Sequence, residues 1–271
     1  MDDGRQRFLL FGNSPFAAGF RGQDYLEEVQ LALPGMAHFG QGEYLQKLLG
    51  TFDALLPGWS GGDPRYLPFQ RVVDHYYGPV DGFLQRLTSM RETMARVKLN
   101  DLKFDLMEVG NPTINTGQTR VADEQLAEGY IPRITSLAVA SGMVDRLYYY
   151  SLLDADDGFS LAGIQNGRLA LKPSYHAVST MAWLLARISA VSWSETGEAM
   201  RVDGSRTDGV EFSVVWSRVA DRDVAVPLAA GKRVFDALGR ELKEANPQQL
   251  VLRPRGRPSL AGPVRILVSR G

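Results

Sequence analysis

Strand-like and helix-like segments alternate along the chain up to residue 187, and this order constrains the fold more than any other feature. Apolar runs typical of strands cover residues 7–12, 71–77, 103–109 and 146–153. Segments with apolar residues three or four positions apart lie between and after them, at residues 43–56, 81–99, 123–141 and 175–187. This β-α-β-α order predicts parallel strands joined by crossover helices, because a tight turn cannot join adjacent parallel strands.

The pattern changes near residue 189. Short β-like runs at residues 211–217, 224–229, 249–254 and 264–269 are separated by turn residues and charges rather than by helices. We therefore expect two domains, an α/β domain over residues 1–188 and a small antiparallel β-sandwich domain over residues 189–271.

Composition excludes several classes of function. The net charge of the 271-residue chain is −1, which gives no basis for a nucleic acid or membrane partner. The chain has no cysteine, so disulfides, thiolate nucleophiles and cysteine-ligated metals are excluded. With three histidines and no HExxH-like pair, we expect no metal site. No apolar run approaches the roughly 18 residues of a membrane span, and the acidic first residues are not those of a signal peptide.

Polar and aromatic residues stand where the strand-like runs end. They are Asn13, Ser14, His75, Tyr77, Glu108, Asn111, Tyr150, Ser151 and Asp154. In a parallel α/β barrel the active site lies at the carboxyl ends of the strands, so these groups would converge on one rim. Glycosidases use two carboxylates, and Glu108 could be one of them. The alternative interpretation is a solvated loop glutamate, a structural histidine at position 75 and tyrosines at 148–150 that are simply β-formers.

Five motifs, in this order, resemble the second half of clan A glycoside hydrolases. VVDHYYG (72–78) resembles the sixth barrel strand, where a His-x-Tyr lines the sugar site. LMEVGNPT (106–113) resembles the seventh, where the nucleophilic glutamate is followed by a variable residue and a glycine, here Gly110. RLYYYSLLD (146–154) resembles strand eight, and GFSLAGIQNGRLALKPSYHAV (158–178) resembles the segment after it. VFDALGRE (234–241) resembles a turn of the C-terminal β-sandwich in family 39 and its relatives.

The resemblance, over roughly residues 66–271, implies a fold and roles for five residues. The fold is an α/β, (β/α)8 TIM-barrel type of which this chain holds the C-terminal half, strands five to eight, followed by the β-sandwich. Glu108 would be the nucleophile of a retaining glycosidase. His75 and Tyr77 would bind sugar hydroxyls and hold its carboxylate, and Tyr150 and Asn111 would line the subsite. No metal or organic cofactor is implied.

The family's acid/base glutamate is missing from this sequence. The resemblance predicts four earlier strands and an Asn-Glu pair at the end of the fourth, whereas the chain contains no Asn-Glu dipeptide. Asn13-Ser14-Pro15 is the nearest analogue, but RFLLFGNSP (7–15) fits strand five better. We therefore expect half a barrel. Three explanations stay open: a gene fragment or split enzyme completed by a separate N-terminal half-barrel chain, a truncated gene, or a non-catalytic descendant that keeps the sugar contacts.

Three functions stay open at this point. The first is the nucleophile-bearing half of a retaining glycosidase that acts on oligo- or polysaccharides. The second is a non-catalytic carbohydrate-binding module derived from such an enzyme. The third is an α/β domain of unrelated function, for which Glu108 would be exposed and distant from His75.

Overall fold

A computed structural model of the chain describes residues 71–96, 99–111, 126–153, 159–219, 222–243, 248–253 and 264–270. The first expected strand (7–12) and the first expected helix (43–56) lie outside these residues. The chain divides into two compact units, the first of residues 1–76 and 86–107 and the second of residues 77–85 and 108–271. The domain boundary between residues 188 and 189 stays a prediction.

The described residues form short strands and three α-helices. The strands are β1 (Arg71–Tyr76), β2 (Lys103–Val109), β3 (Arg146–Tyr149), β4 (Ala162–Gln165), β5 (Arg168–Leu171), β6 (Ile188–Thr196), β7 (Ala199–Arg206), β8 (Val210–Ser217), β9 (Val224–Pro227), β10 (Arg233–Phe235), β11 (Glu241–Leu242), β12 (Gln249–Leu252) and β13 (Arg265–Arg270). The helices are α1 (Phe83–Arg96), α2 (Ile131–Ala140) and α3 (Pro173–Leu185). A 3-10 turn (Val80–Gly82) precedes α1, and a π-helical turn (Leu126–Tyr130) precedes α2. Within this part of the chain, no helix is long and apolar enough to cross a membrane.

The first unit holds β1 and most of α1 and β2; β1 and β2 are hydrogen-bonded neighbours, and the chain passes through α1 between them. A helical connection of this kind is the one expected from the sequence. Leu87, Met90 and Met94 are spaced three and four residues apart and are buried, so the amphipathic pattern of α1 is used as a packing face. Asp74 is fully buried and accepts a hydrogen bond from Arg86 Nε at 3.0 Å, which ties α1 to β1.

Arg71 and Asp105 form a buried ion pair between β1 and β2. The side chains are 2% and 3% exposed, and the guanidinium donates from Nε and Nη2 to the two carboxylate oxygens. The planar fork of arginine matches a carboxylate in this bidentate manner. Because desolvating a charge is costly, each residue of the pair depends on the other.

We expect Asp105→Asn to lower the free energy of unfolding by about 3–5 kcal/mol, because it removes the carboxylate charge that faces the buried guanidinium. The double variant Arg71→Met/Asp105→Leu should recover most of this loss, since two apolar side chains need no counter-charge. Urea unfolding of the three proteins measures both effects. A double variant that is as unstable as the single one would contradict this account of the pair.

In the second unit, a six-stranded antiparallel sheet has the order β11-β10-β13-β8-β7-β6. Val215, Val234 and Leu267 on one face share a hydrophobic core with the antiparallel pair β9–β12.

Helix α2 packs on β6, β7 and β8, and the Arg133 guanidinium lies 5.8 Å from the centre of the Trp216 ring. Burial lowers the pKa of Arg133 to about 10, partly opposed by the charge of Asp81. The antiparallel β unit expected from residue 189 is thus observed, whereas a half-barrel followed by a sandwich stays a prediction.

The structure corrects the sequence-based elements at one strand end and at two hairpins. The fourth expected strand (146–153) ends at Tyr149, because Ser151 and Leu152 instead exchange backbone hydrogen bonds with residues 159–162. Two hairpins, β4–β5 and β6–β7, were not expected.

Gly204 in β7 lies directly opposite Phe212 in β8, and the phenyl ring covers it. A Cβ built on Gly204 would lie 2.4 Å from Phe212 Cζ, and Phe212 is 1% exposed, so the ring has little room to move. We expect Gly204→Ala to lower the free energy of unfolding by about 1–3 kcal/mol through overpacking. Gly163→Ala in β4 is the matched control, because no atom lies within 4 Å of a Cβ built there. Equal stabilities of the two variants in urea would contradict the prediction.

Candidate active site

Glu108 is the penultimate residue of β2, and its side chain is half-buried. Tyr77 directly follows β1, and its hydroxyl donates a hydrogen bond to Glu108 Oε2. Both residues belong to the second unit. Alternate residues of a strand face the same side, so Glu108 continues the side of β2 on which Phe104 and Leu106 are buried. The carboxylate is therefore held at the end of a strand, partly covered and oriented by a phenol.

Tyr77 belongs to a cluster of three aromatic rings together with Tyr150 and Phe159. The ring centres of Tyr77 and Tyr150 are 6.4 Å apart, those of Tyr77 and Phe159 are 5.3 Å apart, and those of Tyr150 and Phe159 are 5.7 Å apart. All three pairs meet edge to face, the arrangement that the aromatic quadrupole favours. Tyr77, Tyr150 and Phe159 are half-buried, so the cluster borders solvent.

Gly110 allows the chain segments of this site to approach each other. A Cβ at this position would lie 2.7 Å from the backbone oxygen of Tyr150 and 3.0 Å from Phe159 Cδ1. The Tyr150 N–H donates to the Val109 carbonyl at 2.9 Å, and the Tyr130 hydroxyl donates to the Gly110 carbonyl at 3.3 Å. Any other residue at position 110 would push its Cβ against the Tyr150 backbone. The hydrogen bond between Val109 and Tyr150 holds these two segments together, so neither can easily move away.

The structure brings together three of the five expected site residues, Tyr77, Glu108 and Tyr150. His75 is half-buried in β1 in the first unit, where its backbone N–H donates to Asp74 Oδ1 at 2.8 Å. Asn111 is half-buried just after Gly110. The sugar-contact roles of His75 and Asn111 stay predictions.

Phe159 is the site residue that the sequence reasoning did not single out. It joins the cluster because its carbonyl accepts a hydrogen bond from Ser151 N–H at 3.2 Å. No local sequence pattern predicts this contact.

We expect Gly110→Ala to lower the free energy of unfolding by about 1–3 kcal/mol, because the added methyl group meets a backbone oxygen that cannot rotate away. The near-ultraviolet circular dichroism of the tyrosines should change as well, since Tyr150 would be displaced. Gly163→Ala again serves as the control. A variant with unchanged stability and an unchanged spectrum would show that the site tolerates a side chain at position 110.

Comparison with known proteins supports the fold at a coarse level. No family model and no curated protein sequence matches the chain. Among solved structures, a family 39 glycoside hydrolase from the gut symbiont Bacteroides cellulosilyticus WH2 matches with a TM-score of 0.54 at 19% identity, over 75% of this chain and 45% of that one. A glucosidase from Croceicoccus marinus matches with a TM-score of 0.51 at 13% identity, over 89% of this chain and 60% of that one. The chain thus spans about half the length of these enzymes, and over the matched part it has a glycoside-hydrolase-like fold.

Proposed function

We propose that this chain is the nucleophile-bearing half of a retaining, clan A glycoside hydrolase close to family 39, acting on oligo- or polysaccharides. The observation that carries the proposal is the hydrogen bond from Tyr77 to Glu108 at the end of β2, on a fold shared with glycoside hydrolases. The Tyr150 ring lies beside Tyr77. An oriented carboxylate next to aromatic rings suits attack on a sugar ring.

In the proposed reaction, a carboxylate oxygen of Glu108 attacks the anomeric carbon while the bond from that carbon to the leaving oxygen breaks. The product is a glycosyl ester on Glu108, which water then hydrolyses to release the sugar and the free carboxylate. Tyr77 holds the carboxylate in position, and Tyr150 and Asn111 line the sugar subsite.

The leaving oxygen must also receive a proton. In retaining glycosidases this proton comes from a second carboxyl group about 5–5.5 Å from the nucleophile. We propose that the N-terminal half of the barrel supplies it, because these 271 residues contain no Asn-Glu pair and cover 45% of the family 39 structure. That half would belong to a separate N-terminal half-barrel chain or to sequence that precedes these residues. Without that acid, natural substrates should react roughly 10²–10⁴ times more slowly.

Activated 2-fluoro glycosides test the nucleophile separately from the acid. A dinitrophenolate leaves without being protonated, and the fluorine slows hydrolysis of the ester, so the adduct accumulates. We expect mass spectrometry to find the sugar on the peptide that contains Glu108, and Glu108→Gln to give no adduct. Tyr77→Phe should label roughly tenfold more slowly, because a hydrogen bond that orients a charged group contributes on the order of 1.5 kcal/mol.

Glu211→Gln is the matched control, since Glu211 is an exposed carboxylate in β8 and its loss should leave labelling unchanged. The reaction is run with the chain alone and with a candidate N-terminal half. An adduct that forms only with the added half would identify a split enzyme. No adduct in either case, with an intact fold and saturable sugar binding, would contradict the proposal in favour of a carbohydrate-binding module.

A further inference from the structure

A second candidate site lies in the second unit, and none of Tyr77, Glu108, Tyr150 and Phe159 lines it. A groove of about 920 Å³ is lined by one side of α3 and by residues of β8, β10 and β13. Binding sites for small ligands have volumes of about 300–1,000 Å³, so the groove can hold several sugar-sized units.

The floor of the groove follows from the strand register. Phe235 in β10 lies directly opposite Ile266 in β13, and Arg233 lies opposite Val268. Residues directly opposite each other in an antiparallel pair point to the same face, so these side chains line the groove together. Ile266 is buried and Phe235 is half-buried, which gives the groove an apolar floor with an accessible ring.

Trp183 of α3 forms the wall, and its side chain is 56% exposed. The Arg206 guanidinium lies 4.8 Å from the centre of the indole and is itself 8% exposed. Arg206 is fixed on three sides, since it donates to both oxygens of Asp208 at 3.0 and 2.6 Å and to the Trp183 carbonyl at 2.7 Å. The indole therefore rests on a rigid support while much of its surface stays open to solvent.

The second ring, Phe235, also has an arginine beside it, but this arginine is solvent-exposed rather than buried. The Arg233 guanidinium lies 5.0 Å from the centre of the Phe235 ring and donates to both oxygens of Glu241, at 2.9 and 2.6 Å. These hydrogen bonds raise the pKa of Arg233 and lower the pKa of Glu241. Both groups are therefore charged around neutral pH and balance each other.

Charge and polarity define the ligand. Among the described residues that line the groove, Arg233 alone is charged, and Glu241 matches that charge, so the groove favours a neutral molecule. The hydroxyl groups of Ser179, Thr180 and Ser269 add hydrogen-bonding groups beside the two rings. A pyranose has the complementary surface, with C–H bonds on its faces and hydroxyls around its edge.

We propose that this groove binds a neutral oligosaccharide, with a pyranose face stacked on Trp183. The choice of a sugar among neutral ligands rests on the proposed function, whereas the groove and its supports do not depend on Glu108. The chain would then hold a glycan at a place where no bond is cleaved.

The test uses the full chain, neutral hexasaccharides (xylohexaose, cellohexaose and laminarihexaose), an anionic hexagalacturonate and the apolar dye ANS. Binding is measured by titration calorimetry and tryptophan fluorescence. We expect a neutral hexasaccharide to bind and Trp183→Ala to weaken its affinity about tenfold or more, because the indole provides most of the stacking area. Trp183→Phe should retain much of the affinity. Trp193→Ala, which removes a 41% exposed tryptophan of β6 that does not line the groove, should bind like the wild type.

Equal binding by Trp183→Ala and the wild type, binding of ANS alone, or no binding of any neutral hexasaccharide at millimolar concentration would overturn the proposal. The 2-fluoro label separates the two sites. If Trp183→Ala loses hexasaccharide affinity but still labels at Glu108, both proposals stand. If the wild type binds the hexasaccharide through Trp183 and never labels, the groove stands and the catalytic proposal fails.

Discussion

The close approach of the Tyr150 carbonyl to Gly110 is the contact on which the candidate active site depends. It occurs two residues after Glu108, where Val109 accepts a hydrogen bond from Tyr150, and Ser151 then donates to Phe159. Backbone hydrogen bonds therefore fix the ends of β2 and β3 and the chain that follows, and the aromatic side chains take their positions from that backbone. A site on tightly packed backbone holds its groups more accurately than a site on a free loop.

The donor that orients Glu108 differs from the partners of the other carboxylates in β1 and β2. Asp105 and Asp74 are buried and paired with arginines, which fixes the strands and the helix to one another. Tyr77, in contrast, is a neutral donor to a half-buried carboxylate. A phenol donates one hydrogen bond to a single carboxylate oxygen, whereas a bidentate arginine contacts both oxygens.

Part of this arrangement could be predicted from the sequence. The strand at residues 103–109 has the expected bounds. Tyr77, which was expected near Glu108, donates a hydrogen bond to it, and Tyr150, which was also expected there, packs against Tyr77. The β4–β5 hairpin was missed although the sequence contains a signal for it, the dipeptide Asn166-Gly167. In the structure these two residues have the positive φ angles, 51° and 72°, that a two-residue hairpin turn requires. Phe159 was missed for a different reason, since its place depends on a backbone hydrogen bond to a residue eight positions earlier.

The groove could not be predicted from the sequence, because its residues come together only in the folded chain. Trp183 lies in a helix with an apolar composition, where an aromatic residue is expected to face the core, yet it is 56% exposed. Its support, Arg206, is 23 residues away at the end of β7, and the turn to β8 places Asp208 against that arginine. The other ring meets the groove because of the pairing of β10 with β13. An indole supported by a buried, fully engaged arginine keeps its exposed surface in a fixed orientation, and an apolar surface that is both exposed and rigid is the type that ligands use.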